Sequence, residues 1–310
     1  MFILTLIRGS GGLLWNLEEE FIREILFQYR LPASVMALMA GASLALSGLF
    51  MQNVFRNPLA GPYVLGISSG AGLGVALVLL AGAGIPFLAN SLPLKPLAAV
   101  LGAFLMLFLN ISLYSRLRSN VALLIFGMLA GHFVSAIVES LQYLATGSEI
   151  RNFFLWGMGN LHVAGWLPHM VIGVTLLTGW AYGHRHNGAM DVYQLGDEYA
   201  RSLGLDSNQY RKRMVWVTAL MAGCVTAWCG PLSFVGLAVP HLTRMLYKTA
   251  VHRKLITGTV LLGALFMLTA HFFTLIPLGE STLPVNVVCS VMGVPMILTL
   301  FLRKRSAWLD

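Results

Sequence analysis

The sequence predicts an all-α polytopic membrane protein, and three observations lead there. Of its 310 residues 57% are apolar and only 10% charged, with a mean hydropathy of +0.76, whereas soluble domains carry roughly a quarter charged residues. Apolar runs near the about 20 residues needed to cross a bilayer recur along the whole chain. The basic residues behind the net charge of +8 fall at the ends of those runs, as orientation determinants do, and not in a patch suited to nucleic acid.

Taken in order, the apolar runs cover residues 32–55, 62–84, 95–114, 121–145, 166–183, 214–229, 231–246, 255–276 and 284–302. These make nine full transmembrane helices, of which 214–229 and 231–246 are short. Residues 1–7 are apolar but too short to span, and they lack the basic start and full apolar region of a cleavable signal. They are read as the remnant of a tenth helix whose first part is missing. Small residues recur four apart at Ser43 and Ser47, Gly66 and Gly70, Gly70 and Gly74, and Gly127 and Gly131, a spacing that lets helix backbones meet closely in lipid. Twelve prolines, several at membrane depth, predict interrupted helices, tolerated there only beside protein or a water-filled pathway. Cys224, Cys229 and Cys289 lie in apolar runs without metal-ligand spacing and read as small buried hydrophobes; no metal site is expected.

Orientation follows from the basic residues. Fifteen of the twenty Lys and Arg fall on one set of alternate loops, from Arg56 and Arg116 through Arg211, Lys212 and Arg213 to Arg303, Lys304 and Arg305. Arg8, Arg23, Arg30, Lys95 and Arg151 fall on the other. The first set marks the cytoplasmic side, which places the C-terminus there and turns the amphipathic stretch 17–29 outward.

The chain forms a single transmembrane domain over 1–310, and its one long polar segment is 194–213, on the cytoplasmic side. Asp197 reads as the cap of a helix of about two turns, with Glu198 in its first turn, Arg201 in its last and Gly204 as a left-handed stop. Asp206 and Gln209 then form a second capping box, so another helix begins almost at once. A capped helix, a glycine corner and a second helix outside the bilayer make a docking surface.

Two chemistries compete with docking. Gly66-Ile67-Ser68-Ser69-Gly70 matches G-x-S-x-G, and His132, His241 and His271 lie near the spans. A nucleophile elbow needs a strand before the serine, however, and a proline-rich turn stands there instead. Glu139 is an acid inside an apolar run and could serve proton coupling, but no matching acid occurs in the other half. An ion- or proton-coupled secondary transporter using Glu139 stands as the alternative function. No G-x-x-x-x-G-K-[ST] loop is present, so if the chain pumps, nucleotide chemistry belongs to another subunit.

Three segments carry a resemblance. The first runs from Arg30-Leu31-Pro32 through Gly41-Ala42-Ser43-Leu44-Ala45-Leu46-Ser47-Gly48 and Met51-Gln52 to Arg56-Asn57-Pro58-Leu59-Ala60-Gly61-Pro62 and Leu65-Gly66-Ile67-Ser68-Ser69-Gly70-Ala71-Gly72. The second is Trp156-Gly157-Met158-Gly159. The third passes from Gly196 and Ala200-Arg201-Ser202-Leu203-Gly204 to Gly230-Pro231-Leu232-Ser233-Phe234-Val235-Gly236-Leu237-Ala238-Val239-Pro240-His241 and Arg244, with a later Gly293-Val294-Pro295. In order and spacing they resemble the FecCD-type permeases of type II ABC importers, which take up iron-siderophores, haem and cobalamin.

The resemblance implies a ten-helix permease bundle in the cytoplasmic (inner) membrane that pairs with a second copy of itself. Two ATP-binding cassette subunits would bind ATP and Mg, a periplasmic or lipid-anchored protein would deliver the chelate, and this chain would hold no cofactor and perform no covalent chemistry. Gly196, Asp197, Glu198, Ala200, Arg201, Leu203, Gly204 and Leu205 match the ATPase-coupling element. Asn57, Leu59, Ser119 and Asn120 match a cytoplasmic gate, and Arg30 a contact to the binding protein. Uptake would proceed by alternating access. The chain departs from the family pattern at Ala33, at His271 and Leu275, where an acid and an arginine are usual, and at Thr282-Leu283-Pro284-Val285-Asn286, where an acidic-Pro-Gly turn is usual.

Overall fold

The computed structural model describes residues 1–2, 5, 8–9, 12–13, 23–81, 94–117, 120–278 and 281–306. Residues 31–55 contain no charged side chain, so the helix they form can be enclosed by protein on every side. Helix α1 (Leu31–Phe55) accordingly forms the axis of the bundle, with every residue from 40 to 55 buried. Pro32 stands where the helical turn of Ile25–Arg30 passes into α1, and Leu31 N–H bonds back to the Leu26 carbonyl there.

The remaining helices are α2 (Ile67–Ala76), α3 (Leu94–Leu117), α4 (Asn120–Leu144), α5 (Gly147–Gly157), α6 (Leu167–Arg185), α7 (Asn187–Gln194), α8 (Asp197–Ser202), α9 (Ser207–Cys229), α10 (Val235–Tyr247), α11 (His252–Thr274) and α12 (Val285–Ser306). π-helical turns precede α1 at Ile25–Arg30 and follow α2 at Leu77–Ala81, and a 3₁₀ turn, Pro62–Leu65, precedes α2. Two antiparallel ribbons of two-residue strands, Arg8–Gly9 with Gly12–Leu13 and Pro277–Leu278 with Ser281–Thr282, complete the described secondary structure.

Helices α6, α9, α10 and α11 pack around α1, while α2 lies on α3 and α4; α9 touches both α1 and α3 and joins the two groups. Small residues set these distances. A Cβ on Gly48 would fall inside the backbone of Gly236 on α10, and one on Gly41 would meet Gly263 on α11. Gly70 and Gly74 approach Gly102 and Ala98 on α3 in the same way, so the four-residue spacing read from the sequence is a packing device.

Each apolar run holds a helix, with revised limits. The run 231–246 is helical only from Val235, because Gly230 and Phe234 both adopt positive φ and carry the chain around a corner. The run 62–84 opens as the 3₁₀ turn, and its last three residues lie outside the described ones. The run 214–229 belongs to a longer helix that starts at Ser207. Ile25–Phe55, Ile125–Leu144 and His252–Thr274 are individually long and apolar enough to span a bilayer. Of the N-terminal remnant, residues 3–4 and 6–7 lie outside the described residues; Thr5 hydrogen-bonds the Ser34 hydroxyl at 3.0 Å, tying it to α1.

Two helices escaped the sequence reading. α5 begins at a T-x-x-E signature in which the Glu149 carboxylate accepts from the Thr146 N–H at 2.8 Å. α7 precedes the polar segment and buries Met190 and Tyr193. At the next corner the Asp206 carboxylate accepts from the N–H groups of Asn208 and Gln209, at 3.0 and 3.1 Å, as its sequence position predicts. Asp206→Ala is expected to cost about 1 kcal/mol and lower the midpoint of thermal unfolding by a few degrees, while Asp206→Asn leaves it nearly unchanged; scanning fluorimetry in detergent distinguishes the two.

Candidate functional site

The described polar residues concentrate at the end of the bundle where α1 finishes and α7, α8 and the start of α9 lie across it. The α1 terminus is a turn of unusual make. The N–H of Arg56 bonds to the Asn53 carbonyl and that of Asn57 to Gln52, both at 3.1 Å, which closes the helix with Arg56 in the left-handed conformation at φ 48°. Glycine is the usual residue there, and a Cβ costs roughly 1–2 kcal/mol. The side chain explains the exception: Nε of Arg56 donates to the Tyr193 carbonyl at 2.9 Å, and the guanidinium lies 4.3 Å from the centre of the Tyr193 ring. One of its remaining nitrogens reaches Asp197 Oδ1 at 2.8 Å.

Asp197 was expected to cap α8. It does not: the cap is Gly196, at φ 123°, and Asp197 is the first helical residue. Its carboxylate is engaged by two arginines, Arg56 at Oδ1 and Arg211 of α9 at Oδ2. Partial burial works to raise the Asp197 carboxyl, but Arg211 and Arg56 outweigh it and hold the group below the usual carboxylate range. Arg211 is 4% exposed, and its guanidinium also lies 5.5 Å from the Tyr193 ring centre. Tyr193, fully buried, stacks at a tilt on Tyr210 and donates its hydroxyl to the Val54 carbonyl.

A second polar cluster fixes α7. Asn53, buried on α1, donates from Nδ2 to the Met190 carbonyl at 3.0 Å and lies 3.3 Å from His252 Nε2; its Oδ1 accepts from the Tyr210 hydroxyl at 2.5 Å. Asp191 accepts from both Nδ1 and the backbone N–H of His252, at 2.6 and 3.0 Å. This network assigns the proton to Nδ1 and leaves Nε2 to accept from Asn53. One carboxylate thereby orients the histidine and satisfies an orphan N–H at the start of α11.

Among the other predicted residues, Ala200 is buried and turns α8 inward, while Gly204 takes φ 82° and closes the helix, with Leu205 N–H bonding back to the Ala200 carbonyl at 3.0 Å. Glu198 and Arg201 are exposed. So are Leu195, Tyr199 and Leu203, at 66, 54 and 57%, large apolar side chains left uncovered at the polar end. In the turn after α1, Asn57 Oδ1 accepts from the Leu59 N–H at 2.9 Å and the Leu59 side chain is exposed. Ser119 and the side chain of Asn120 lie outside the described residues. Arg30 sits at the opposite end of α1, 7% exposed within this single chain. Sequence reasoning gave Arg56 and Arg211 a role only in setting orientation and gave Tyr193 and Asp191 none; the arginine standing where a helix-ending glycine would stand was the available signal for the first.

Ser68 lies in the first turn of α2 after a 3₁₀ turn, so no strand-turn-helix elbow forms. Glu139 and His132 are exposed on α4. His271 is buried with its ring edge-on to His162, 5.7 Å between centres. Among the described residues no three His, Cys, Asp or Glu side chains converge as a metal-holding group.

Comparison with known proteins agrees with this architecture. Residues 5–303 match the model of the FecCD transport family. The chain is 36% identical over 302 residues to the hemin transport system permease protein HmuU of Yersinia pestis, covering 94% of this chain and 87% of that one. It is 34% identical over 281 residues to the vitamin B12 import system permease protein BtuC of Pectobacterium atrosepticum, covering 90 and 82%. Among solved structures, the inward-facing conformation of a metal-chelate type ABC transporter superposes with a TM-score of 0.87 at 28% identity, over 97% of this chain and 95% of that one. With its helical bundle, its small-residue helix contacts and this match over nearly its whole length, the chain belongs to the FecCD transport family.

Proposed function

We propose that this chain is the membrane-spanning permease of an ATP-driven importer for a large metal chelate, of the class of haem, cobalamin or a ferric siderophore. The observation that carries the reading is the near full-length similarity to permeases named for hemin and vitamin B12. A separate ATPase supplies the energy. α8 and its corner at Gly204 form the surface it engages, and the exposed Leu195, Tyr199 and Leu203, near Glu198 and Arg201 in sequence, support this, since large apolar side chains left exposed at a polar end suit a protein contact. Closure of the ATPase pair moves α8, and the turn at Asn57 and Leu59, together with Ser119 and Asn120, opens or shuts the pathway by alternating access.

A second copy completes the pathway. α4 leaves most of one face uncovered, with His132 and Glu139 on it; charged and polar side chains facing lipid are costly, whereas a water-filled pathway between two copies accommodates them. The same side of the membrane that holds α8 holds the C-terminus, and the binding protein docks at the other, where Arg30 lies.

The test is reconstitution in liposomes with the ATPase and binding protein that co-purify with the chain. ATP-dependent accumulation of hemin, cobalamin or a ferric siderophore, unaffected by collapse of the proton gradient, is the expected result. Accumulation driven by a proton gradient without ATP, and abolished by Glu139→Gln, would establish the secondary-transporter alternative instead.

A further inference from the structure

α8 is short and buries little of itself. Of its six residues only Ala200 is buried, and its main packing is against the neighbouring α7 and α9. A movement imposed on so small an element passes to the rest of the bundle only through specific ties. The longest tie in sequence is the one from Asp197 across 141 positions to Arg56. Arg56 immediately precedes Asn57, whose side chain shapes the turn to Leu59.

The geometry points to Asp197 and Arg56 as the link that couples α8 to the turn at residues 56–60: they are positioning residues, through which displacement of the docked segment changes the conformation of Asn57 and Leu59. This rests on the reading of α8 as the ATPase contact. Three features favour a transmitting role over a surface staple. Asp197 divides its two oxygens between Arg56 and Arg211, so α8 is held to the end of α1 and to the start of α9 by one carboxylate. Arg56 is held in turn at Nε by the Tyr193 carbonyl and at its face by the Tyr193 ring, so its guanidinium cannot swing free while α7 and α8 stay in place. Its own backbone is in the left-handed region, where a side-chain-bearing residue is retained only if other contacts hold it. When α8 moves, those contacts are pulled together and the residue least comfortable in its conformation, the one next to Asn57, is free to change it.

Arg56→Gln tests the link, because it disconnects the turn while leaving α8 attached through Arg211. In the purified protein in nanodiscs, amide exchange at Asn57, Leu59 and Ala60 is expected to quicken at least tenfold, with peptides from α11 unchanged. In proteoliposomes carrying the co-purified ATPase and binding protein, hemin or cobalamin accumulation falls at least tenfold while ATP hydrolysis stays within twofold of the parent. Asp197→Asn gives the same separation, and Asp197→Glu restores accumulation. Unchanged exchange, accumulation equal to the parent, or accumulation falling only in step with hydrolysis would each overturn the proposal. If the parent complex accumulates none of hemin, cobalamin and a ferric siderophore with ATP, the functional reading itself fails, and the exchange measurement, made on Asp197→Asn as well as Arg56→Gln, decides the Asp197–Arg56 link independently.

Discussion

Gly48→Leu is expected to leave almost no folded protein in the membrane fraction, with the monodisperse peak lost from size-exclusion chromatography in detergent. Even a Cβ at position 48 would occupy the space of the Gly236 backbone. A leucine would force α1 and α10 apart by several ångströms, and α1 has nowhere to go, because α6, α9 and α11 enclose its other faces. Ordinary overpacking, against side chains that can rotate away, costs about 1–3 kcal/mol. Here the obstacle is main chain on a helix that is itself packed, so the cost exceeds that range and takes a large share of the roughly 5–15 kcal/mol by which a folded protein is stable. Gly188→Ala provides the control: its Cβ meets nothing within 4 Å on α7, and replacing glycine by alanine in a helix is neutral to favourable. A Gly48→Leu protein that melts at the parent temperature would mean that α1 and α10 do not meet as described.

The contrast between these two glycines indicates what was legible in the sequence. Span positions followed from composition, because crossing lipid imposes a length of apolar chain that no packing detail overrides. The close approach of α2 to α3 was half visible: Gly70 and Gly74 were evident as a pair, but their partners Gly102 and Ala98 were not. Spacing identifies a smooth helix face and is silent on which helix meets it. The same holds at the polar end. The corner at Gly204 and the cap at Asp206 are local, set by backbone preferences within a few residues, and both appear where the sequence puts them. Asp197 also had the right type and position for a cap, yet Gly196 took that place and the carboxylate went to Arg56 and Arg211. Two guanidiniums, one 141 positions away and one 14 positions away on the next helix, outweighed one local N–H, a competition that local propensities do not contain. α7 was missed for a related reason: eight residues of mixed polarity become helical because Tyr193 and Met190 are buried against α1 and because Asp191 anchors the start of α11.

Tyr199→Asp combined with Leu203→Asp is expected to abolish ATP-dependent uptake while leaving the permease itself folded. Both side chains are more than half exposed in the isolated chain, so the substitutions remove little internal packing, and surface changes of this kind usually alter stability by less than about 0.5 kcal/mol. Thermal unfolding should therefore match the parent. The loss appears in association. Aromatic and aliphatic anchors at the centre of a protein contact contribute about 2 kcal/mol or more each when truncated, and a carboxylate in their place adds the cost of desolvating a charge. Two such changes weaken binding of the ATPase by a factor on the order of a thousand or more, so it no longer co-purifies and the proteoliposomes no longer accumulate chelate. This outcome differs in kind from that of Arg56→Gln, where the ATPase stays bound and hydrolyses ATP but accumulation falls at least tenfold. Two substitutions, one on α8 and one at its C-terminal cap, remove the partner; one substitution at the end of α1 removes only its effect. If Tyr199 and Leu203 tolerate aspartate with uptake intact, the apolar side chains of α8 and its cap are not the ATPase contact, and the force that drives the cycle enters the bundle elsewhere.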